Sequence, residues 1–253
     1  MSRSRAVAPL AVCFALMGTA TASALPSNAD PQPPRRGVAS TATLLDDAPV
    51  YKKPGAAKRV KIASAFTAWT GSQTVLLVLR SHRDADNRLW LRVLLPVRPN
   101  QSSGWILASH AKLGTTEARV EISLRSRSLR VRRAGRIVMS VRSVIGAPAT
   151  PTPRGLFAIY ERAASPRGAS IGPFALHLTA FSEVLHSYDG GPGRVAIHGR
   201  AGALLGDPLG SAASHGCIRI NNSALRRVAG YAKAGTPVAI ANGWPSLPSA
   251  ATP

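Results

Sequence analysis

A chain of 253 residues, 45% of them hydrophobic, has room for one large domain or two modest ones, each burying its own core. The formal charge of +21 raises nucleic acid as a partner. The basic residues are scattered, however, with no arginine or lysine block and no aromatic-interleaved stripe. Nucleic acid is therefore set aside in favour of a solvated basic surface, suited to retention by anionic polymers.

In chain order, MSRSR, the apolar run 6–18 and the small-residue site Ala22-Ser23-Ala24 have the three parts of a secretory signal. Residues 1–24 are expected to be cleaved, leaving no retained transmembrane segment, because the apolar run is too short to span a bilayer. Cys13 lies inside that run. A lipoprotein reading of Leu10-Ala11-Val12-Cys13 is disfavoured by Val12, where a small residue is wanted. Loss of the signal leaves Cys217 as the lone thiol in an oxidising compartment, where an unused thiol is a liability.

Residues 25–40, with Pro26, Pro31, Pro33 and Pro34 among polar residues, read as a flexible linker. From 41 to 113 the short apolar runs 60–62, 75–79, 89–94 and 105–107 are strand-like, and 82–87 separates two of them as a hairpin loop would. This stretch resembles the small SH3-like β-barrels that accompany bacterial wall enzymes, chiefly through RPNQSSGWI at 98–106.

A second domain is expected over 117–241, followed by a tail at 242–253. Val120, Ile122 and Leu124 alternate with polar residues, as do Leu129 with Val131 and Ile137 with Met139 and Val141. Ala134-Gly135 supplies a hairpin turn. Pro148, Pro151, Pro153 and Gly155 make an extended loop, and strand-like runs follow at 156–160, 174–178, 195–198, 217–220 and 238–241. One helix is expected at 223–233, burying Leu225, Val228, Ala229 and Ala232, with Asn222 as its cap and Gly235 at its end. The fold class is mainly β: a small barrel, then a sandwich or partly open barrel with one short helix.

The chemistry concentrates in Ile197-His198-Gly199 and Ser214-His215-Gly216-Cys217-Ile218-Arg219-Ile220. A free thiol is mostly protonated at neutral pH and needs a base or a positive neighbour to act as a nucleophile. His215 lies two residues from Cys217, and His198 ends a separate strand-like run that could approach across a sheet. Spacing does not choose between them. Gly216 lets the backbone turn so that the amides of His215, Gly216 and Cys217 can converge on an oxyanion. Arg219 offers a fork suited to a substrate carboxylate. His82, His177 and His186 lack such neighbours and read as surface or loop residues, and 181–193 as a loop able to overhang the site. No metal-ligand spacing and no phosphate-cradling loop is present in the sequence, so neither metal nor cofactor is expected.

The HG element followed by SHGCIR resembles the signature of the L,D-transpeptidase catalytic domain, the YkuD type. The likeness extends upstream to Val144-Ile145-Gly146 and to Thr152-Pro153-Arg154-Gly155-Leu156-Phe157, and covers about 117–241. It implies a β-sandwich domain acting on peptidoglycan stem peptides within an anionic cell wall. Carried across, Cys217 becomes the nucleophile and His198 the general acid/base, oriented by the carbonyl of Gly199. Ser214, His215 and Gly216 would shape the nucleophile loop, and Arg219 would bind substrate. The implied activity is cross-linking of third-position residues through a thioester, in an exported protein, wall-associated or secreted. The alternatives are L,D-carboxypeptidase action, with water as acceptor, or a non-catalytic wall-binding protein. A sortase-like enzyme would lack SHGC, and an NlpC-type peptidase would place its cysteine before its histidine.

Overall fold

The computed structural model describes residues 30–188 and 190–246, so the expected signal, Cys13 and residues 247–253 of the tail lie outside the described residues. The architecture is mainly β, with one α-helix among the described residues.

The first sheet has seven strands: β1 (Ala39–Leu44), β2 (Ala48–Tyr51), β3 (Arg59–Ala63), β4 (Val75–Arg83), β5 (Leu89–Leu94), β6 (Ser103–Leu107) and β7 (Ala111–Thr116). They lie in the order β3-β2-β6-β5-β4-β1-β7, with every pairing antiparallel. Small and branched side chains fill its core: Ala42, Leu44, Val50, Leu76, Val78, Leu91, Val93 and Ile106 are buried together. The stretch read as a linker is packed from residue 30 on. Pro31 and Pro34 are buried, the Pro31 carbonyl accepts from Ser81 Oγ at 2.7 Å, and β1 already begins at Ala39. Proline rings carry apolar surface and a free carbonyl, so a proline-rich segment beside a sheet can dock as well as swing.

The second sheet comprises β8 (Ala118–Ser123), β9 (Ser128–Arg133), β10 (Arg136–Arg142), β12 (Gly155–Ala164), β13 (Phe174–Phe181), β14 (Arg194–His198), β16 (Ile218–Arg219) and β17 (Pro237–Ala241). Its order is β10-β9-β8-β17-β12-β13-β14-β16, with parallel pairs β17/β8 and β14/β16. A parallel two-stranded ladder joins β11 (Ile145–Gly146) to β15 (Ala212–Ser214). The β9–β10 turn takes positive φ at both Ala134 (46°) and Gly135 (78°), which matches the right-handed twist of a two-residue hairpin. The helix α1 (Asn222–Tyr231) buries Ala224, Leu225, Val228 and Ala229 against a core that includes Phe157, Ile159, Leu176 and Ile197. Asn221 rather than Asn222 occupies the cap position, and no side chain caps the helix.

The two sheets meet through a small cluster in which Leu77 and Leu94 of the first pack with Ala158 of β12. Polar staples flank it. Arg98 donates to the carbonyls of Ser182 (2.7 Å), Leu185 (3.2 Å) and Pro192 (3.1 Å). Asn100 exchanges two bonds of 2.8 Å with the backbone of Phe181. The loop that follows β13 is therefore held by residues of the first sheet's region.

Candidate active site

Side chains on a strand alternate between faces, and paired residues share a face. On β13 and β14 the register sets Ala175 opposite His198 and His177 opposite Ala196. On β14 and β16 it sets Ile197 opposite Ile218 and His198 opposite Arg219. Ile197 and Ile218 point into the core. Ala175, His177, Ala196, His198, Cys217 and Arg219 instead line one cavity of about 280 Å³ on the other face. A parallel ladder thus lays the segment after the nucleophile candidate beside the histidine strand.

His198 is buried, with only 5% of its surface exposed. Its Nδ1 donates to the carbonyl of Gly199 at 2.8 Å, since a carbonyl can only accept, and this leaves Nε2 as the basic nitrogen. Burial lowers the imidazole from the ordinary 6.5 to about 4, opposed by the Gly199 bond and reinforced by the Arg219 charge. Burial likewise pushes the Cys217 thiol above its ordinary 9.0, against the Ala196 amide and Arg219, which favour the thiolate. The resting pair is a neutral thiol and a neutral imidazole.

Gly216 has φ +113°, where a Cβ would be strained although it would meet its neighbours only at ordinary contact distances. The turn around it is wired throughout. Ser214 Oγ donates to the Cys217 carbonyl at 2.6 Å and accepts from the Gly216 amide at 3.1 Å. Thr152 Oγ1 donates to the Gly216 carbonyl and accepts from the Gly146 amide, both at 2.9 Å. The Ser214 carbonyl receives Thr150 Oγ1 at 3.1 Å and the Ala147 amide at 2.8 Å. The Gly216 amide is therefore occupied by Ser214, so of the three amides read as oxyanion donors it is the one already spoken for.

His215 stands exposed at the cavity rim, its ring 5.0 Å from that of Tyr188 and its Nδ1 3.3 Å from the Tyr188 hydroxyl. Arg219 is buried, and its guanidinium is paired with Asp207 while its Nε faces no partner. Gly199 lies so close to Asn222 that a Cβ there would fall 1.9 Å from Asn222 Oδ1. That oxygen accepts from the Arg200 amide at 3.0 Å, which diverts Asn222 from helix capping to holding the segment after His198.

The sequence reading missed His177. It is neither a surface nor a loop residue: it sits on β13, 15% exposed at the side chain, lining the cavity with Nδ1 3.4 Å from the buried Glu161 carboxylate. Only the cross-strand register with β14 reveals its place, and that is not written in its neighbours. Trp69, from the loop before β4, also lines this cavity, with its ring edge-to-face with His177 at 5.5 Å.

Comparison with known proteins agrees with the motif. Residues 117–240 match the L,D-transpeptidase catalytic domain family, YkuD. A Bacillus licheniformis protein designated an L,D-transpeptidase, YkuD, is 29% identical over 163 residues, covering 62% of this chain and 89% of its own. Among solved structures, the catalytic domain of the Enterococcus faecium L,D-transpeptidase is 21% identical, covering 49% of this chain and 96% of its own, with a TM-score of 0.36. An L,D-transpeptidase from Mycobacterium tuberculosis H37Rv is 15% identical, covering 66% of this chain and 90% of its own, with a TM-score of 0.42. Residues 117–240, in which the Ser-His-Gly-Cys turn lies beside the His-Gly strand, are a YkuD-type L,D-transpeptidase catalytic domain.

Proposed function

We propose that this protein is a cysteine-dependent L,D-transpeptidase that cross-links peptidoglycan stems through a thioester on Cys217, with His198 as acid and base. The observation carrying this reading is the shared face of β14 and β16: His198 and Cys217 line one cavity, and His198 keeps Nε2 free because Nδ1 is committed to Gly199.

Because both groups rest neutral, the thiol proton passes to His198 Nε2 as sulfur attacks the carbonyl of the third stem residue. A C–S bond forms, and the oxyanion is received by the amides of Cys217 and His215. On collapse the C–N bond to D-alanine breaks and the same proton leaves with the D-alanine amine. An amine from a second stem then attacks the thioester, His198 takes its proton, and sulfur departs with that proton, restoring the thiol. Burial serves this sequence, since a neutral imidazole beside a neutral thiol loses no charge pair when substrate expels water. Ser214 and Gly216 hold the turn in shape, and Arg219, paired with Asp207, sets a positive charge in the cavity wall for the departing carboxylate.

The activity requires an exported protein, acting outside the cytoplasm at the wall, where the +21 charge favours retention by anionic polymers. The domain of residues 41–113 is proposed to be SH3-like and 117–241 to be catalytic.

Incubating the protein with disaccharide-tetrapeptide, beside Cys217→Ala, and weighing the products tests the reading. Dimers joined through third-position residues are expected from the wild type alone. Tripeptide without dimer would replace cross-linking by L,D-carboxypeptidase action, and no product, with wall sacculi still bound, would leave a wall-binding protein.

A further inference from the structure

The cavity extends to both sides of Cys217. Toward the His198 end of β14 it is walled by Ser170, Ile171, Leu204 and Arg219; toward the Arg194 end, by Trp69, His177, Tyr188 and Gly191. The two arms differ in chemistry. The first holds a guanidinium and the general acid, as a leaving amino acid with a free carboxylate requires. The second is aromatic and backed by a carboxylate. The acyl half of the stem must then lie along the second arm, because the leaving half departs on the side of His198.

The second arm is built across the domain boundary. Thr70, next to Trp69, donates to Glu161 Oε2 from its amide (3.0 Å) and from its hydroxyl (2.8 Å), and the Ala68 amide donates to the Tyr160 hydroxyl at 3.3 Å. These bonds hold the loop to β12 while leaving the Trp69 side chain 61% exposed, so the indole contributes little to packing. Its edge of contact is His177 and the backbone near Gly191. Glu161 is buried, yet bonds from Thr67, Thr70 and His177 outweigh that burial and keep the carboxyl below its usual range. An ionised Glu161 draws the His177 proton to Nδ1, leaving Nε2 as an acceptor. The cation lining this arm, Arg194, is already committed to the carbonyls of Leu178 (2.9 Å) and Pro96 (3.3 Å) and stacks on Tyr160 and Phe181.

Resting on the transpeptidase reading, we propose that Trp69 of the first domain and His177 form the subsite for the side chain of the residue whose carbonyl Cys217 attacks. The ligand class is an aliphatic side chain ending in an amine. Its methylenes lie along the indole, its ammonium is attracted by the aromatic faces of Trp69 and Tyr188, and it donates to His177 Nε2. The first domain thereby supplies part of the active site in addition to any role as a spacer.

The test is the burst of D-alanine released in the first turnover, which reports acylation of Cys217 whatever the acceptor. The probes are a disaccharide-tetrapeptide with a free side-chain amine at its third position and the same compound N-acetylated at that amine. Wild type is expected to favour the free amine by about tenfold in burst efficiency, mostly through half-saturation. Trp69→Ala should erase the preference without shifting the melting curve, His177→Gln should weaken it, and Trp69→Phe should retain most of it. A burst that ignores acetylation, or a preference that survives Trp69→Ala, overturns the inference while leaving Cys217 chemistry intact. No burst from wild type overturns the transpeptidase reading and this subsite with it.

Discussion

The turn at 214–217 and the loop around Trp69 face the same cavity but are held differently. The turn is fastened from within its own domain, by Thr150, Thr152 and the hydroxyl of Ser214, which commit the Ser214, Gly216 and Cys217 carbonyls and the Gly216 amide. The loop crosses from the other sheet and rests on a few bonds to Tyr160 and Glu161, with its largest side chain in solvent. Rigid placement is concentrated where bonds are to be made and broken, and looser placement where a flexible ligand is to be received.

The contrast can be broken most severely at its rigid end. His198→Gln keeps a hydrogen-bonding shape without a base, and acyl transfer measured by D-alanine release should fall by roughly 100- to 10,000-fold. Gly216→Ala adds a Cβ at φ +113°; the strain, about 1–3 kcal/mol, should distort the amide–Ser214 bond and lower kcat by roughly ten- to a hundredfold.

A pH series probes the same end with the sequence intact. His198 is basic above about pH 4, so kcat/KM should lose activity only below that value and show no inflection at 6.5. Alkylation of Cys217 should be slow at neutral pH and still be rising at pH 9, because burial holds the thiol neutral past its ordinary range. Stability follows the same sign: the unfolded chain binds a proton near 6.5 that folded His198 refuses until about 4. The melting temperature should therefore fall as pH drops through that window.

At the looser end effects should be smaller and confined to binding. Arg98→Ala removes three bonds to the loop over the cavity, and is expected to raise KM for stem peptide a few-fold at near-constant kcat.

The same contrast explains what could be read in advance. The β9–β10 hairpin and the apolar face of α1 were legible because each depends on neighbours within a few positions, whereas His198 and the 214–219 segment stood out as motifs but are brought together only by the β14/β16 pairing. His177 was not, since its facing depends on which strand β13 pairs with and in what register. Trp69 depends on how one domain sits against the other. Asn222 looked like a helix cap because its spacing fits one, but the backbone at Gly199 and Gly172 approaches its side chain so closely that the amide is used there. Asp207 claims Arg219 from a segment with no pattern of its own.

Asn222 also determines where the cleft could be reshaped. A Cβ at Gly172 or Gly199 would fall 2.4 or 1.9 Å from its Oδ1, so the wall nearest His198 has no tolerance for growth in any of the three side chains. Redesign toward bulkier substrates therefore has its freedom at Trp69 and Leu204, whose side chains border solvent, and a library spent on the glycines would return mostly misfolded protein.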